Sequence, residues 1–263
     1  MKTVSIIIPA RYDSTRFPGK PLALINNKPM ILHVCDGCAP AFGKDRVYVT
    51  TDDDRIKEVV ENAGYKVIMT TKEQVFLTGS DRVAYASQFV NSEYIISVQG
   101  DEPLVKNYDI ESVYHKLIDL FDIVNCYKVC KQERGFAIPD GFQTSHDGIN
   151  WTSVYYTPIE NKNTIKVITA SGRLSYMSRS PIPFKSDKYK KQVCIYGFRK
   201  NILQQYFGEG IEKCEMEECE DIEILRFINY GYSVRMIEVK NEYQSVDESS
   251  DIEKVEKILN DRN

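Results

Sequence analysis

Ser5-Ile-Ile-Ile-Pro-Ala-Arg11-Tyr-Asp-Ser14-Thr-Arg16-Phe-Pro-Gly19-Lys20-Pro21-Leu22 decides the reading of this chain. Val4, Ile6, Ile7 and Ile8 make an apolar run of the length of a buried strand. Pro9 stops it, because proline has no amide for a central strand to donate. The loop that follows carries Arg11, Arg16 and Lys20, the hydroxyls of Ser14 and Thr15, Gly19 and two further prolines. A loop at the carboxyl end of a first strand is where open α/β sheets bind ligands. Guanidinium forks and ammonium groups complement phosphoryl oxygens, so a polyphosphate is the expected ligand. The loop is not a Walker motif: the G-x-x-x-x-G-K-[ST] spacing is absent, and Pro21 follows Lys20 in place of a hydroxyl residue.

Outward from this loop, strands and helices alternate. Residues 46–50 read as a second strand, and one of Asp52, Asp53 or Asp54 caps a helix with Ile56, Val59, Val60 and Ala63 on one face. Gly64 ends that helix. Strands are expected at 66–69, 94–98 and 123–130, with helices from Ser80 to about Val90 and at about 108–120. This β-α-β-α order predicts an α/β fold with a doubly wound, mainly parallel sheet. The pattern breaks at 131–190, where Gly135, Gly141, Gly148 and an aromatic-rich stretch at 142–156 precede a β-hairpin of Lys166–Thr169 and Leu174–Met177 around Gly172. A strand at 193–198, one helix at 217–229 carrying Ile222, Leu225 and Ile228, a strand at 232–238 and a last helix at 249–260 complete the chain. The expectation is one domain over 1–263 with a β-rich insertion at 131–190.

The chain has 263 residues and a formal net charge of −4, so bulk nucleic-acid binding is not expected. Its positive charge is concentrated in the first loop, as suits a small anionic ligand. No apolar run approaches a membrane span, and the N-terminus enters a strand directly, which argues against a signal peptide. Seven irregularly spaced cysteines then point to a reduced, cytoplasmic protein. Cys35-Asp-Gly-Cys38 has C-x-x-C spacing, but neither Cys126/Cys130 nor Cys214/Cys219 supplies the second pair of a zinc site. Both cysteines are expected on a helix that begins around Pro29.

Val98-Gln99-Gly100-Asp101-Glu102-Pro103 ends the fourth strand. An acid there, after a glycine that permits close backbone approach, suits Mg²⁺ held against phosphates. Asp52-Asp53-Asp54 contains the D-x-D found at the metal of many glycosyltransferases, but its place at a helix start favours capping.

The Pro-Ala-Arg-x-x-Ser-Thr-Arg-x-Pro-Gly-Lys-Pro-Leu pattern resembles the signature of the 3-deoxy-manno-octulosonate (Kdo) cytidylyltransferases, and further matches extend the resemblance over nearly the whole chain. It implies a nucleotide-diphospho-sugar transferase-like fold, with the insertion forming a dimer contact and a lid over the sugar site. It implies Mg²⁺-dependent transfer of CMP from CTP to a 2-keto sugar acid, with pyrophosphate released, for lipopolysaccharide or capsule synthesis. Pro9, Ala10, Arg11, Ser14 and Lys20 would hold the nucleotide, Arg11 and Lys20 catalytically. Thr78-Gly79-Ser80-Asp81-Arg82, matching Ser-Gly-Thr-[DE]-Arg, would contact base and ribose. Ser245-Val246-Asp247 resembles the family's Val-Asp-Thr-Pro, whose acid is the second metal ligand beside Asp101. Here Glu248 and Ser249 replace the Thr-Pro. An N-cap role for Asp247 stands as the alternative, although Ser249 or Ser250 would serve that helix equally well.

The acceptor side matches less well. Gln99, Arg179 in Ser-Arg-Ser-Pro-Ile-Pro, Tyr196 in Ile-Tyr-Gly-Phe and Glu223 in Ile-Glu-Ile-Leu-Arg fall on the family's sugar contacts. Gln192 stands where the family has His, Ile224 where it has Gln, and Phe76 where it has His. A sugar hydroxyl facing Ile224 would lose a partner, at about 1–3 kcal/mol. The expected acceptor is therefore Kdo or a related sugar acid, amino- or deoxy-substituted. The alternatives are a cytidylyltransferase for another acceptor, a glycosyltransferase of the same fold, or a nucleotide binder without turnover.

Overall fold

Every residue of β1 (Val4–Pro9) is buried. The computed structural model describes residues 3–14, 16–71, 73–131, 161–184, 186, 188–208 and 212–261. β1 lies between β4 (Val47–Thr51) and β6 (Tyr94–Val98), parallel to both. β5 (Lys66–Met69) runs parallel to β4 at the sheet edge. A strand covered on both faces needs apolar side chains on both, which explains the unbroken run in β1. Ile6 and Ile8 pack into the core on one face, and Ile7 into the core on the other.

The helices α1 (Met30–Phe42), α2 (Asp54–Asn62), α3 (Gly79–Ser87) and α4 (Asn107–Asp119) stand close to where the sequence places them. Cys35 and Cys38 lie on the buried stripe of α1 with Ile31 and Val34. Burial pushes both thiols upward in pKa, so they behave as small core hydrophobes. A hairpin of β2 (Leu24–Ile25) and β3 (Lys28–Pro29), turning through Asn26 and Asn27 at positive φ, was not evident from the apolar pattern.

The second half of the sheet is mixed. β7 (Ile123–Lys131) and β11 (Val234–Glu238) are parallel, but β10 (Lys188–Arg199) lies antiparallel between β6 and β7. Lys131 at the end of β7 faces Lys188 at the start of β10. The chain therefore leaves the sheet at one end of this ladder and returns at the same end, so β10 must run back down. β10 also begins five residues before the expected strand. The described part of the 131–190 segment adds β8 (Lys166–Ala170) and β9 (Arg173–Ser178), the expected hairpin, at the far edge of the sheet. The aromatic-rich stretch at 142–156 lies outside the described residues.

A single helix over 217–229 does not form. It is divided into α6 (Glu215–Glu220) and α7 (Leu225–Asn229), after α5 (Lys200–Tyr206). Asp221, in the left-handed region at φ 51°, makes the break. The reason is an ion pair. Arg226 donates to both oxygens of Glu217, at 2.6 and 2.8 Å, with both side chains essentially unexposed. Residues nine apart on one helix, at about 100° each, point to opposite sides, so the chain must turn back to bring them together. Arg226 also reaches Asp81 (3.3 Å) and the Tyr206 carbonyl (2.8 Å), tying this region to the start of α3.

The last helix, α8 (Asp251–Asp261), packs through Val255, with Val246 from the preceding segment, against Ile25, Met30 and Leu104. Burying Val246 contributes about 1.5–3 kcal/mol and fixes the segment that leads into the helix beside the end of β6.

Replacing Arg226 by Met leaves the Glu217 charge buried without its partner. The expected loss is about 3–5 kcal/mol of folding stability, read as a lower urea midpoint. A midpoint within error of wild type would show that the triad does not carry that load.

Candidate active site

The carboxyl ends of β1 and β6 open into a cleft of about 230 Å³. It is lined by Pro9, Ala10, Arg11, Ser14, Arg16, Lys20, Thr78, Gly79, Arg82, Gln99, Gly100 and Asp101, with Pro21, Phe76 and Leu77. Most of the expected nucleotide residues thus share one hollow. Close approach explains two glycines. A side chain on Gly100 would come 2.8 Å from the Pro9 carbonyl, and one on Gly79 would come 2.9 Å from Gln99 Nε2. The loop around Arg11–Lys20 is folded on Tyr12, whose carbonyl accepts from the amides of Ser14 and Gly19. The Arg55 guanidinium lies 3.4 Å from the Tyr12 ring centroid, and Asp53 holds Arg55 in turn.

The two acids expected at the metal come from segments that are joined beside this cleft. Val246 N–H donates to the Asp101 carbonyl at 3.0 Å, joining the end of β6 to the segment before α8. Lys20 Nζ donates to Asp101 Oδ2 (2.7 Å) and to the Val246 carbonyl (2.8 Å). Arg16 donates to Asp247 Oδ1 (2.9 Å) and to Asn163 Oδ1 (2.8 Å). Burial, and after it the Asp101 charge, hold the Asp247 carboxyl above the usual carboxylate range. Asp247 is not a cap. Asp251 accepts the amides of Asp247 and Glu248, both at 3.0 Å, which leaves the Asp247 side chain to Arg16. Asp247 also borders a second hollow of about 530 Å³ between the Asn161–Thr164 turn, β10 and α8.

The donor set suits Mg²⁺. The Asp101 charge acts unfavourably on the Asp247 carboxylate, and a divalent cation relieves such repulsion. Among the described residues no three acidic, His or Cys side chains gather to hold a metal alone. Magnesium commonly takes one or two carboxylates and completes its shell with phosphate oxygens and water.

Two expected nucleotide contacts are corrected. Asp81 is fully buried. Its Oδ2 accepts from Thr78 N–H and Thr78 Oγ1–H in a capping box, and its Oδ1 accepts from Gly208 N–H and Arg226. Asp81 therefore shapes the start of α3 and is not among the residues that line the cleft. Ser80 is also buried, and its amide donates to Glu223 Oε2 at 3.0 Å. Arg82 does line the cleft, oriented by Thr70 and by Asp52 at 2.9 Å. Asp53 is the N-cap of α2, so the D-x-D acids do not converge on a metal.

On the acceptor side, Gln99 Nε2 donates to Glu223 Oε1 at 3.3 Å, which joins the cleft to the turn between α6 and α7. Burial raises the Glu223 carboxyl. Gln192 and Tyr196 are buried together behind it. Gln192 Nε2 donates to Asn125 Oδ1 (3.0 Å) and meets the Tyr196 hydroxyl (3.3 Å). Asn125 Nδ2 in turn stitches a bulge in β10 through the carbonyls of Val193 and Ile195. Gln192 Oε1 and Ser80 Oγ are buried without a hydrogen-bond partner among the described residues. Arg179 stands apart. Its guanidinium donates to the carbonyls of Glu220, Lys162 and Asp221, so it presents no free fork to a carboxylate. Ile224 is 1 % exposed and packs with Phe227, so its apolar character serves the core and removes no sugar contact.

Sequence reasoning missed Glu102 and Ser245. Glu102 is 1 % exposed, and its Oε1 accepts from Ser245 Oγ at 2.8 Å and from Cys194 N–H at 3.4 Å. The only signal was adjacency, since each lies within two residues of an expected metal acid. Burial first, and the Asp101 charge next, push the Glu102 carboxyl up to about 7.

A sheet whose strand-end loops gather Arg11, Arg16 and Lys20 around Asp101 suits a nucleotidyltransferase. Comparison with known proteins agrees. The sequence profile of the family described as cytidylyltransferase matches residues 5–238. The chain is 35 % identical to 3-deoxy-manno-octulosonate cytidylyltransferase 2 of Hydrogenovibrio crunogenus over 99 % of both chains. It is 34 % identical to an 8-amino-3,8-dideoxy-manno-octulosonate cytidylyltransferase of Shewanella baltica, over 97 % of this chain and 98 % of that one. A solved structure of CMP:2-keto-3-deoxy-manno-octonic acid synthetase complexed with CTP matches at a TM-score of 0.81 and 30 % identity, over 100 % of both chains. The chain belongs to the 3-deoxy-manno-octulosonate cytidylyltransferase family and is a nucleotidyltransferase. Among the described residues no helix is long and apolar enough to cross a membrane.

An acid with a raised pKa in the folded state favours folding while it holds its proton. The Glu102 contribution is therefore greatest below its ordinary value of 4.5 and is lost as pH rises through about 7. The unliganded protein is expected to lose stability across that interval, and Glu102→Gln to flatten the loss. Parallel urea titrations of the two proteins at pH 5 and pH 7.5 check this; equal slopes would contradict it.

Proposed function

We propose that this protein transfers CMP from CTP to a 2-keto sugar acid, Kdo or its 8-amino relative, and releases pyrophosphate. The observation that carries this reading is a cleft in which Asp101 faces the Arg11–Lys20 loop, with Asp247 held to that loop through Arg16 and Gln99 leading to Glu223. An acceptor hydroxyl oxygen bonds to the α-phosphorus, the bond from that phosphorus to the β-phosphate oxygen breaks, and the hydroxyl proton passes to solvent. In-line displacement of this kind depends on positioning and charge neutralisation.

Arg11, Ser14, Arg16 and Lys20 receive the triphosphate. In the free protein Lys20 and Arg16 neutralise Asp101 and Asp247. Substrate phosphates take over these cations, and the two carboxylates are released to hold Mg²⁺. When bound there, Mg²⁺ supplies charge neutralisation at the α-phosphate and lowers the pKa of the attacking hydroxyl. Gln99 and Glu223 orient the acceptor. The same reading includes a homodimer built on residues 131–190 and a product consumed in surface polysaccharide synthesis.

Pyrophosphate release from CTP and Mg²⁺ with Kdo, 8-amino-Kdo, neuraminic-type acids and simple sugar phosphates tests the proposal. Release is expected with one of the 3-deoxy octulosonates. CTP binding with no release from any acceptor would refute it. Asp101→Asn is expected to abolish turnover, a loss of at least about a hundredfold, while the circular dichroism spectrum stays native. Near-normal turnover in that variant would remove Asp101 from the chemistry.

A further inference from the structure

Asp101 and Asp247 are 146 residues apart in the chain, on segments that share no secondary structure. Three described contacts join those segments. Lys20 grips the Asp101 carboxylate and the Val246 carbonyl. Val246 N–H donates to the Asp101 carbonyl. Glu102 Oε1 accepts from Ser245 Oγ at 2.8 Å. The first contact is given up when phosphates draw Lys20 away. The second fixes one peptide and leaves the chain on either side of it free to swivel. The third lies on the far side of that peptide from Asp247, so together the last two form a two-point attachment.

Glu102 is well built for this. It is 1 % exposed, and in such a place a hydrogen bond is stronger than in water. It also accepts from Cys194 N–H in the bulge of β10, so its carboxylate is anchored to the sheet and not only to its own turn. Its other oxygen, Oε2, is buried with no partner among the described residues, so the Ser245 hydroxyl is its one side-chain contact.

We propose that Glu102 is a positioning residue that sets the separation of the two metal carboxylates through its hydrogen bond to Ser245. The proposal rests on the reading of Asp101 and Asp247 as metal ligands. Partners that orient a ligand without touching the metal commonly account for 10–100-fold in metal affinity.

The test is Mn²⁺ binding to the full chain in the presence of CTP, followed by water proton relaxation, with no acceptor and no turnover. Ser245→Ala removes one hydroxyl and avoids the cavity that truncating Glu102 would open. It is expected to raise the half-saturating Mn²⁺ concentration about tenfold. Ser245→Thr, which keeps the hydroxyl, is expected to restore it. Glu102→Gln combined with Ser245→Ala is expected to add nothing to Ser245→Ala alone, because both act through one bond. An unmoved Mn²⁺ curve in Ser245→Ala overturns the proposal, whether or not the unfolding temperature falls. Asp101→Asn is the reference. If it too leaves the curve unmoved, the metal reading falls along with the positioning role; if it moves the curve and Ser245→Ala does not, only the positioning role falls.

Discussion

Two carboxylates brought to one spot repel each other, and the architecture around the cleft is organised to bear that repulsion. Asp101 comes from the end of a central strand, and Asp247 from a segment more than a hundred residues later. The segment reaches the cleft because Val246 is buried beneath it and α8 docks against the β2–β3 hairpin. The charge is then balanced from the first loop, by Lys20 on one acid and Arg16 on the other. The cations suited to bind triphosphate are thus the ones that keep the empty site neutral. Both pairs are partly exposed, so they balance charge at modest cost and can be parted without stranding a charge in the core.

The nucleotide half was legible in the sequence because its signals are local. An apolar run ended by proline, a basic loop and a glycine before an acid each report on a few neighbouring residues, and β1, β6 and the cleft stand where those signals place them. What was not legible depended on contacts distant in sequence. The direction of β10 follows from where the 131–190 segment leaves and re-enters the sheet, which no local period records. The break at Asp221 follows from the pairing of Glu217 with Arg226. Ile222, Leu225 and Ile228 still show helical spacing, so the apolar pattern alone favoured one helix.

The acceptor side shows the same limit from another direction. A motif match gives a residue's position in the chain but not the use the fold makes of its side chain. Asp81 falls on a family motif and is spent on a capping box and an ion pair. Arg179 falls on another and is spent on three carbonyls. Ile224 looked like a lost polar contact and is a core residue. Gln99 and Glu223 remain as the matched residues that the structure joins to the cleft directly.

Lys131 and Lys188 face each other across an antiparallel ladder, which sets their Cα atoms about 4.5–5.5 Å apart. The hairpin of β8 and β9 lies between these two points in the sequence and rejoins the sheet through β10 and β11. The loop-closure entropy of such a connection grows only slowly with its length. One edge of the sheet is thus made from the connection itself, while β1 and β6, which carry the first loop and Asp101, take none of their pairings from it.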